Sequence, residues 1–239
     1  MRRSEVLLWW ACILGGSAVP LCAQTPPGGD AARRALIITN TVYQMLPRPP
    51  MDDSGTKDLE EVLRDAQFVV SKEHDLDGKS LTQALDKFQS IVKPRDIAFV
   101  YYSGYTIQVN EKNYLVPVDY DALQAQKGKI YFHAYDLSGL LEGLAENKPF
   151  LSMLVLDASW DTPKLSGQAG LTGLTPPPQT WVFASTGANL ITTEASGKMG
   201  IFTKALVETL PQHGFDLTDL VSRVTNKVET ASKGTQRPQ

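Results

Sequence analysis

The chain has 239 residues, of which 42% are hydrophobic and 21% charged, so it can bury the core of one substantial α/β domain. Its net charge of −3, with no long run of Lys or Arg, excludes a nucleic-acid-binding surface. Both cysteines, Cys12 and Cys22, lie within the first 23 residues, so the rest of the chain carries neither a thiol nor a disulfide.

The N-terminal segment has the organisation of a secretory signal. Arg2 and Arg3 form a basic start, residues 6–21 are mostly apolar, and a passable cleavage site follows. We therefore predict a signal peptide over residues 1–23, a linker over 24–33, and export to the periplasm or the cell exterior. The apolar stretch is short for a membrane span, so membrane attachment is expected only if the segment stays uncleaved as an anchor. A cytoplasmic chain with a disordered apolar start is the remaining alternative.

A single domain is predicted over residues 34–239, where strand and helix patterns alternate. Short continuous apolar runs predict buried strands, and apolar residues at helical spacing behind a capping residue predict helices. In chain order these are a strand at 35–39, a helix from Asp53 or Ser54 to about 64, a strand at 68–70, a helix opening at Asp77 or Ser80, and a strand at 97–102. The prediction continues with a hairpin at 107–116, a helix at about 136–146, a strand at 151–156, a Gly- and Pro-rich loop at 164–178, a strand at 181–184, and helices at about 202–210 and 217–231.

This order of elements predicts an α/β fold with a mostly parallel sheet sandwiched by helices. Ligands of such sheets bind beyond the carboxyl ends of the strands. Polar clusters follow three of the predicted strands, at residues 52–53, 103–105 and 157–159. We therefore expect these clusters to meet at one edge of the sheet and to form the functional site.

The same segments resemble the caspase-like peptidases, in particular metacaspases and bacterial orthocaspases. The sequence Tyr-Ser-Gly-Tyr at 102–105, followed by Gln108, is similar to their Y-S-G-H-G-x-Q block, and Asp-Ala-Ser at 157–159 is similar to the strand end D-A-C. Further similarity is carried by residues 35–40 with Tyr43, 113–119, 183–187 and 200–206. The resemblance covers about residues 34–234 and implies the caspase-like fold, which in relatives continues into one more strand.

The resemblance places Tyr105 at the position of the catalytic histidine and Ser159 at that of the nucleophilic cysteine. A histidine base and a thiolate perform the family's peptide cleavage. Tyrosine, with a pKa near ~10, is a poor base at neutral pH, and serine stays protonated without one. Thr106 also replaces the glycine that follows the histidine. We therefore predict an inactive dyad, in which Tyr105 and Ser159 hydrogen-bond each other or Tyr105 simply packs in the core.

The binding side of the family's site is better kept than its catalytic side. Metacaspases and orthocaspases cleave after Arg or Lys by means of an acidic pocket, and the matching positions here are Asp53, Ser103 and Asp157. A carboxylate cluster can hold a guanidinium without any chemistry. The resemblance therefore implies a pseudopeptidase that binds a basic peptide or a partner protein. Each residue also has a local alternative, since Asp53 can cap a helix, Asp157 can cap a turn, and Ser103 can bond backbone.

Two other functions remain open at this point. A serine-type hydrolase would use Ser159 and would need one of His74, His133 or His213 as its base. A purely structural interaction domain would need neither a dyad nor a pocket. No phosphate-binding loop, dinucleotide motif or zinc spacing occurs, so we expect no cofactor and no metal site. Calcium on the surface acids at 52–53 or 119–121 stays open, although no loop specifies it.

Overall fold

A computed structural model describes residues 31–50, 52–121, 134–160, 168–192, 199–212 and 216–239. The predicted signal peptide and most of the predicted linker lie outside these ranges. The described strands are β1 (Arg33–Thr39), β2 (Val69–His74), β3 (Ile97–Ser103), β4 (Thr106–Val109), β5 (Lys112–Leu115), β6 (Tyr135–Asp136), β7 (Leu151–Asp157), β8 (Gln168–Ala169) and β9 (Thr180–Ala184). The described helices are α1 (Ser54–Asp65), α2 (Gly78–Ile91), α3 (Leu137–Glu146), α4 (Ile201–Thr209) and α5 (Leu217–Ala231). None of these helices combines the length and the apolar character that a membrane span requires.

Five strands form a parallel sheet in the order β2-β1-β3-β7-β9. Every residue of β3 and β7 is buried, as their continuous apolar sequences predict for strands covered on both faces. Because all five strands run in one direction, their carboxyl ends lie along one edge of the sheet. The predicted α/β fold is therefore confirmed.

Alternate residues of the strands pack against two separate helix layers. On one face Ile37, Tyr101 and Val155 share a core with α1, α4 and α5. On the other face Ile38 and Leu156 share a core with α2 and α3. Successive side chains of a strand point to opposite faces, so one buried apolar run supplies both cores.

A second, four-stranded sheet, in the order β6-β5-β4-β8, lies beyond the carboxyl edge. Its hairpin of β4 and β5 turns through Asn110 and Glu111, whose φ angles are +50° and +63°. Two successive positive φ angles are typical of the type I′ turn, which suits the twist of a hairpin. Ile107 and Tyr114 of this sheet join Tyr105 in a third core. The predicted site thus lies between the two sheets.

The predicted elements are confirmed, with differences at some ends. The strand predicted at 68–70 runs from Val69 to His74 in the structure. β2 is the edge strand of the sheet, and its second half is largely exposed. Its polar residues there concealed the strand pattern. The two-residue strands β6 and β8 were not predicted, since two residues are too few to show a period.

A buried ion pair fixes the start of the main sheet. Asp96 is buried, and its carboxylate accepts hydrogen bonds from Arg34 Nε (2.7 Å) and from the backbone N–H groups of Ala32 (2.7 Å) and Lys93 (3.0 Å). Arg34 supplies the opposite charge, and the two backbone N–H groups supply hydrogen bonds, so the buried carboxylate is not left unpaired. These contacts also join the beginning of β1 to the turn before β3.

We expect Asp96→Ala to lower the free energy of unfolding by about 3–5 kcal/mol, because it leaves Arg34 and two backbone N–H groups without their acceptor. The matched control is Glu208→Ala, which removes the exposed ion pair with Lys227 and should cost less than about 1 kcal/mol. Urea unfolding followed by circular dichroism measures both. Equal losses in the two variants would show that the Asp96 pair has no special role.

Candidate functional site

The register of the main sheet places two predicted site residues on neighbouring strand ends. Ser103, the last residue of β3, is paired with Asp157, the last residue of β7. Both side chains are buried, with exposed fractions of 2% and 1%. Just beyond the strands, Thr106 Oγ1 donates to the carbonyl of Ala158 (2.8 Å). The segments after β3 and β7 are therefore held side by side.

Tyr105, at the histidine position, lies beneath the loop that follows β1. Its side chain is 1% exposed, and its ring packs edge-on against Tyr43 at a centroid distance of 4.9 Å. Its hydroxyl donates to the carbonyl of Pro47 (3.4 Å), and its backbone N–H donates to Tyr43 Oη (2.8 Å). Among the described residues, Tyr105 thus has the surroundings of a core tyrosine.

The loop that covers Tyr105 is anchored where it leaves β1. Asp75 accepts hydrogen bonds from the backbone N–H groups of Thr41 and Val42, both at 2.8 Å. The buried Asn40 accepts from the N–H of Leu76 (2.9 Å). These hydrogen bonds join the start of the loop after β1 to the residues that follow β2. They hold this end of the loop in place.

Two further tyrosines close the space around Gly104. Tyr102 donates to the carbonyls of Tyr105 (3.0 Å) and Val116 (2.9 Å). A Cβ atom at Gly104 would lie 2.6 Å from Tyr43 Oη and 2.8 Å from Tyr102 Oη, so only glycine fits. Burial raises the pKa of Tyr43 and Tyr102 well above the ordinary value. Both hydroxyls therefore stay protonated and cannot serve as a base.

Ser159, at the cysteine position, is equally enclosed. Its side chain is 1% exposed, and its carbonyl accepts from the N–H of Thr192 (2.6 Å). Its Oγ has no hydrogen-bond partner among the described residues. The expected hydrogen bond between Tyr105 and Ser159 is therefore wrong. The physical reason is the loop after β1, because Tyr43 and Pro47 take up the ring and the hydroxyl of Tyr105.

The described histidine does not approach Ser159. His74 is the last residue of β2, which is separated from β7 by β1 and β3. Strands are spaced by about 4.8 Å, so the two strand ends lie roughly 14 Å apart. His133 and His213 fall outside the described ranges. Within those ranges, Ser159 has no base that could activate it.

Asp53 lies on the surface, apart from the buried pair of Ser103 and Asp157. It occupies the N-cap position of α1, but its side chain makes no capping hydrogen bond, so that expectation is wrong. Asp52 instead accepts from the N–H of Ser54 (2.9 Å). The exposed Asp53 carboxylate lies 3.6 Å from His74 Nδ1. The structure thus brings two of the three predicted binding residues together and leaves Asp53 at the rim.

Asp157 ends a buried chain of three hydroxyl and carboxyl groups. Thr203 Oγ1, in the first turn of α4, donates to Asp157 Oδ2 at 2.6 Å. Tyr101 Oη lies 2.6 Å from the same Thr203 oxygen. Because a threonine hydroxyl has a single proton, Tyr101 must be the donor to Thr203. The chain therefore runs from β3 through α4 to the end of β7.

The Asp157 carboxyl has no cationic partner among the residues that the structure describes. Burial raises its pKa to about 6, while the hydroxyls of Thr203 and Ser185 act in the opposite direction. Ser185 approaches the carboxyl without a hydrogen bond of ordinary geometry, and Asp157 Oδ1 makes none within the described ranges. A buried carboxyl with one unused oxygen is chemically suited to a proton or to a cationic donor.

Sequence reasoning missed Thr203, Tyr101 and Ser185. Thr203 and Ser185 stand inside segments that carry the family resemblance, at 200–206 and 183–187. A signal for Tyr101 was its place two residues before Ser103, since alternate residues of a strand share a face. The sequence does not show that α4 packs closely enough on the sheet for Thr203 to reach Asp157.

A cavity of about 220 Å³ lies beside β9 and the loop before it. Leu171, Leu174, Val182, Ala184 and Gln239 are among its lining residues, and none of the predicted site residues is. No group of three or more His, Cys, Asp or Glu side chains is arranged for a metal ion in the described parts of the chain.

The raised pKa of Asp157 makes a signed prediction for stability. Between about pH 4 and pH 6 the folded protein keeps a proton that the unfolded chain releases, so its stability falls as the pH rises. Asp157→Asn removes this loss. Relative to wild type, we expect the variant to gain about 2–3 kcal/mol on going from pH 4 to pH 7.

Urea unfolding at the two pH values measures the difference. Comparing the two proteins at each pH cancels the titration of all other groups. A constant difference between variant and wild type would contradict the assigned burial of Asp157.

Comparison with known families agrees with this architecture. The family model described as the caspase domain, Peptidase C14, matches residues 32–239. The match includes both sheets, all five described helices and every predicted site residue. A search of curated proteins gave no match.

Proposed function

This chain belongs to the caspase-domain family, and we propose that it is an exported pseudopeptidase. It binds basic peptide segments or a partner protein at the carboxyl edge of the sheet and does not cleave them. The proposal combines the family's fold with an altered dyad, in which Tyr105 and Ser159 replace the expected histidine and cysteine.

The single observation that carries the proposal is the enclosure of both dyad positions. A cysteine peptidase needs a thiolate and a base that face the substrate. Here Tyr105 and Ser159 are each 1% exposed, and the Tyr105 hydroxyl is bonded to Pro47. Cysteine is absent after residue 23. Among the described residues, the absence of a thiol and the burial of both dyad positions support the proposal that the chain does not cleave peptides.

The binding half of the proposal is supported by Asp157 and Ser103. They lie side by side at the strand ends, and Asp157 Oδ1 makes no hydrogen bond with any described residue. A guanidinium or ammonium group would donate hydrogen bonds to the Asp157 carboxyl and would supply the positive charge that it lacks among the described residues. Asp157 is buried and the first turn of α4 contacts it through Thr203, so movement of that turn would give such a group access.

The catalytic half is tested with fluorogenic peptides that carry Arg or Lys before the scissile bond. We expect no cleavage above background by the chain or by its Ser159→Ala variant, with or without calcium. Cleavage that disappears in Ser159→Ala would overturn the proposal and establish a serine hydrolase, whose base would then be sought at His133 or His213. Cleavage that survives in Ser159→Ala would point to a contaminant.

The binding half is tested by isothermal titration calorimetry with uncleaved Arg- and Lys-containing peptides. We expect Asp157→Asn to weaken binding at pH 7.5 at least tenfold, because it removes the buried carboxyl that the described residues place at the strand ends. The control is Asp86→Asn, which removes an exposed acid on α2 and should leave the affinity within about twofold. Binding that is unchanged in Asp157→Asn would place the peptide elsewhere, and no binding at all would favour a purely structural interaction domain.

A further inference from the structure

The first turn of α4 is fastened to the sheet through one side chain. Thr203 Oγ1 lies 2.6 Å from both Tyr101 Oη and Asp157 Oδ2. The turn itself is closed by the N–H of Lys204, which donates to the carbonyl of Gly200 (2.9 Å). We call Tyr101, Thr203 and Asp157 the α4 latch, because they join this turn to β3 and β7.

Helix α1 holds the same turn from outside the sheet. A Cβ atom at Gly55 would lie 2.7 Å from Met199 Cγ and 3.0 Å from Thr203 Cγ2. The start of α1 therefore rests directly on the start of α4. Movement of this turn would uncover the latch without disturbing the strand pairing beneath it.

The closed latch suits a neutral carboxyl better than an ionised one. When Asp157 is ionised, Oδ1 is a buried anionic oxygen with no hydrogen-bond donor among the described residues. The hydroxyls of Thr203 and Ser185 favour the ionised form, but burial without a cation among the described residues opposes it more strongly, so the enclosed carboxyl is more stable when neutral.

We propose that the α4 latch is controlled by a proton: neutral Asp157 keeps the first turn of α4 closed, and ionised Asp157 releases it. Released, the turn uncovers the carboxylate for a cationic side chain. The identity of the ligand that binds the open state rests on the proposed function. The opening of the latch does not, because it needs no ligand.

The groups around the carboxyl leave Asp157 as the titrating member of the latch. Tyr101 faces it from β3 through Thr203, and Ser185 faces it from the turn after β9. Among the charged residues of the packed elements, Lys57 on α1, Lys204 on α4 and the N-cap Asp53 are exposed. Burial raises the pKa of Asp157 to about 6, whereas an exposed Asp titrates near ~3.9. The latch therefore weakens through the range from about pH 4 to pH 6.

Hydrogen exchange of the Lys204 amide tests the latch without any ligand, because this amide closes the first turn of α4. After correction for intrinsic exchange, we expect its protection to fall about tenfold from pH 5 to pH 7.5. The amides of β3 report global unfolding and should remain far more protected at both pH values. Asp157→Asn should abolish the pH dependence at Lys204. Thr203→Val should lower protection further at pH 7.5, and Thr203→Ser should restore the wild-type profile.

Protection of Lys204 that is equal at both pH values would overturn the latch. Protection as high as that of β3 would also overturn it, because opening would then be global. A pH dependence that survives in Asp157→Asn would assign the titration to another group. Peptide calorimetry separates this result from the proposed function: exchange that follows the prediction without peptide binding at any pH supports the latch and refutes the binding role.

Discussion

The parallel register between β3 and β7 decides where every chemically relevant side chain of this domain lies. It sets Ser103 opposite Asp157 and sends the segments carrying Tyr105 and Ser159 out of the sheet side by side. The two strands are buried on both faces along their whole length, so a shift of one residue would exchange every side chain between the two helix-covered cores and disrupt the packing of both. The core therefore enforces the geometry of the site, although no chemistry takes place in the core.

The surroundings of Tyr105 explain why the two dyad positions are enclosed. A catalytic histidine must face a cleft, whereas Tyr105 lies in the core of the second sheet, against Tyr43 and under Pro47. The loop after β1 closes the edge from one side, and α4 closes it from the other through Thr203. Between them lies Asp157, a buried carboxyl that has no cationic partner among the described residues.

Most of the fold and part of the site could be predicted from the sequence. Continuous apolar runs predicted the central strands, and the chain order predicted that the clusters carrying Ser103 and Asp157 lie at one edge of the sheet, whereas their direct pairing is known only from the structure. The second half of β2 was missed because an edge strand needs no buried pattern, and β6 and β8 are too short for a period. Thr203 and the Tyr105–Pro47 contact depend on how α4 and a loop pack onto the sheet, and such packing leaves no local signal in the sequence.

Enclosure of the nucleophile position is the central claim, and one thiol tests it directly. In a chain with Cys12 and Cys22 changed to alanine, Ser159→Cys carries the only thiol, and Ser71→Cys provides an exposed control on β2. We expect an aromatic disulfide reagent to label the control rapidly and to label Ser159→Cys only after urea unfolding. Rapid labelling of folded Ser159→Cys at pH 5, where the α4 latch is closed, would show an open, accessible site and would contradict the account.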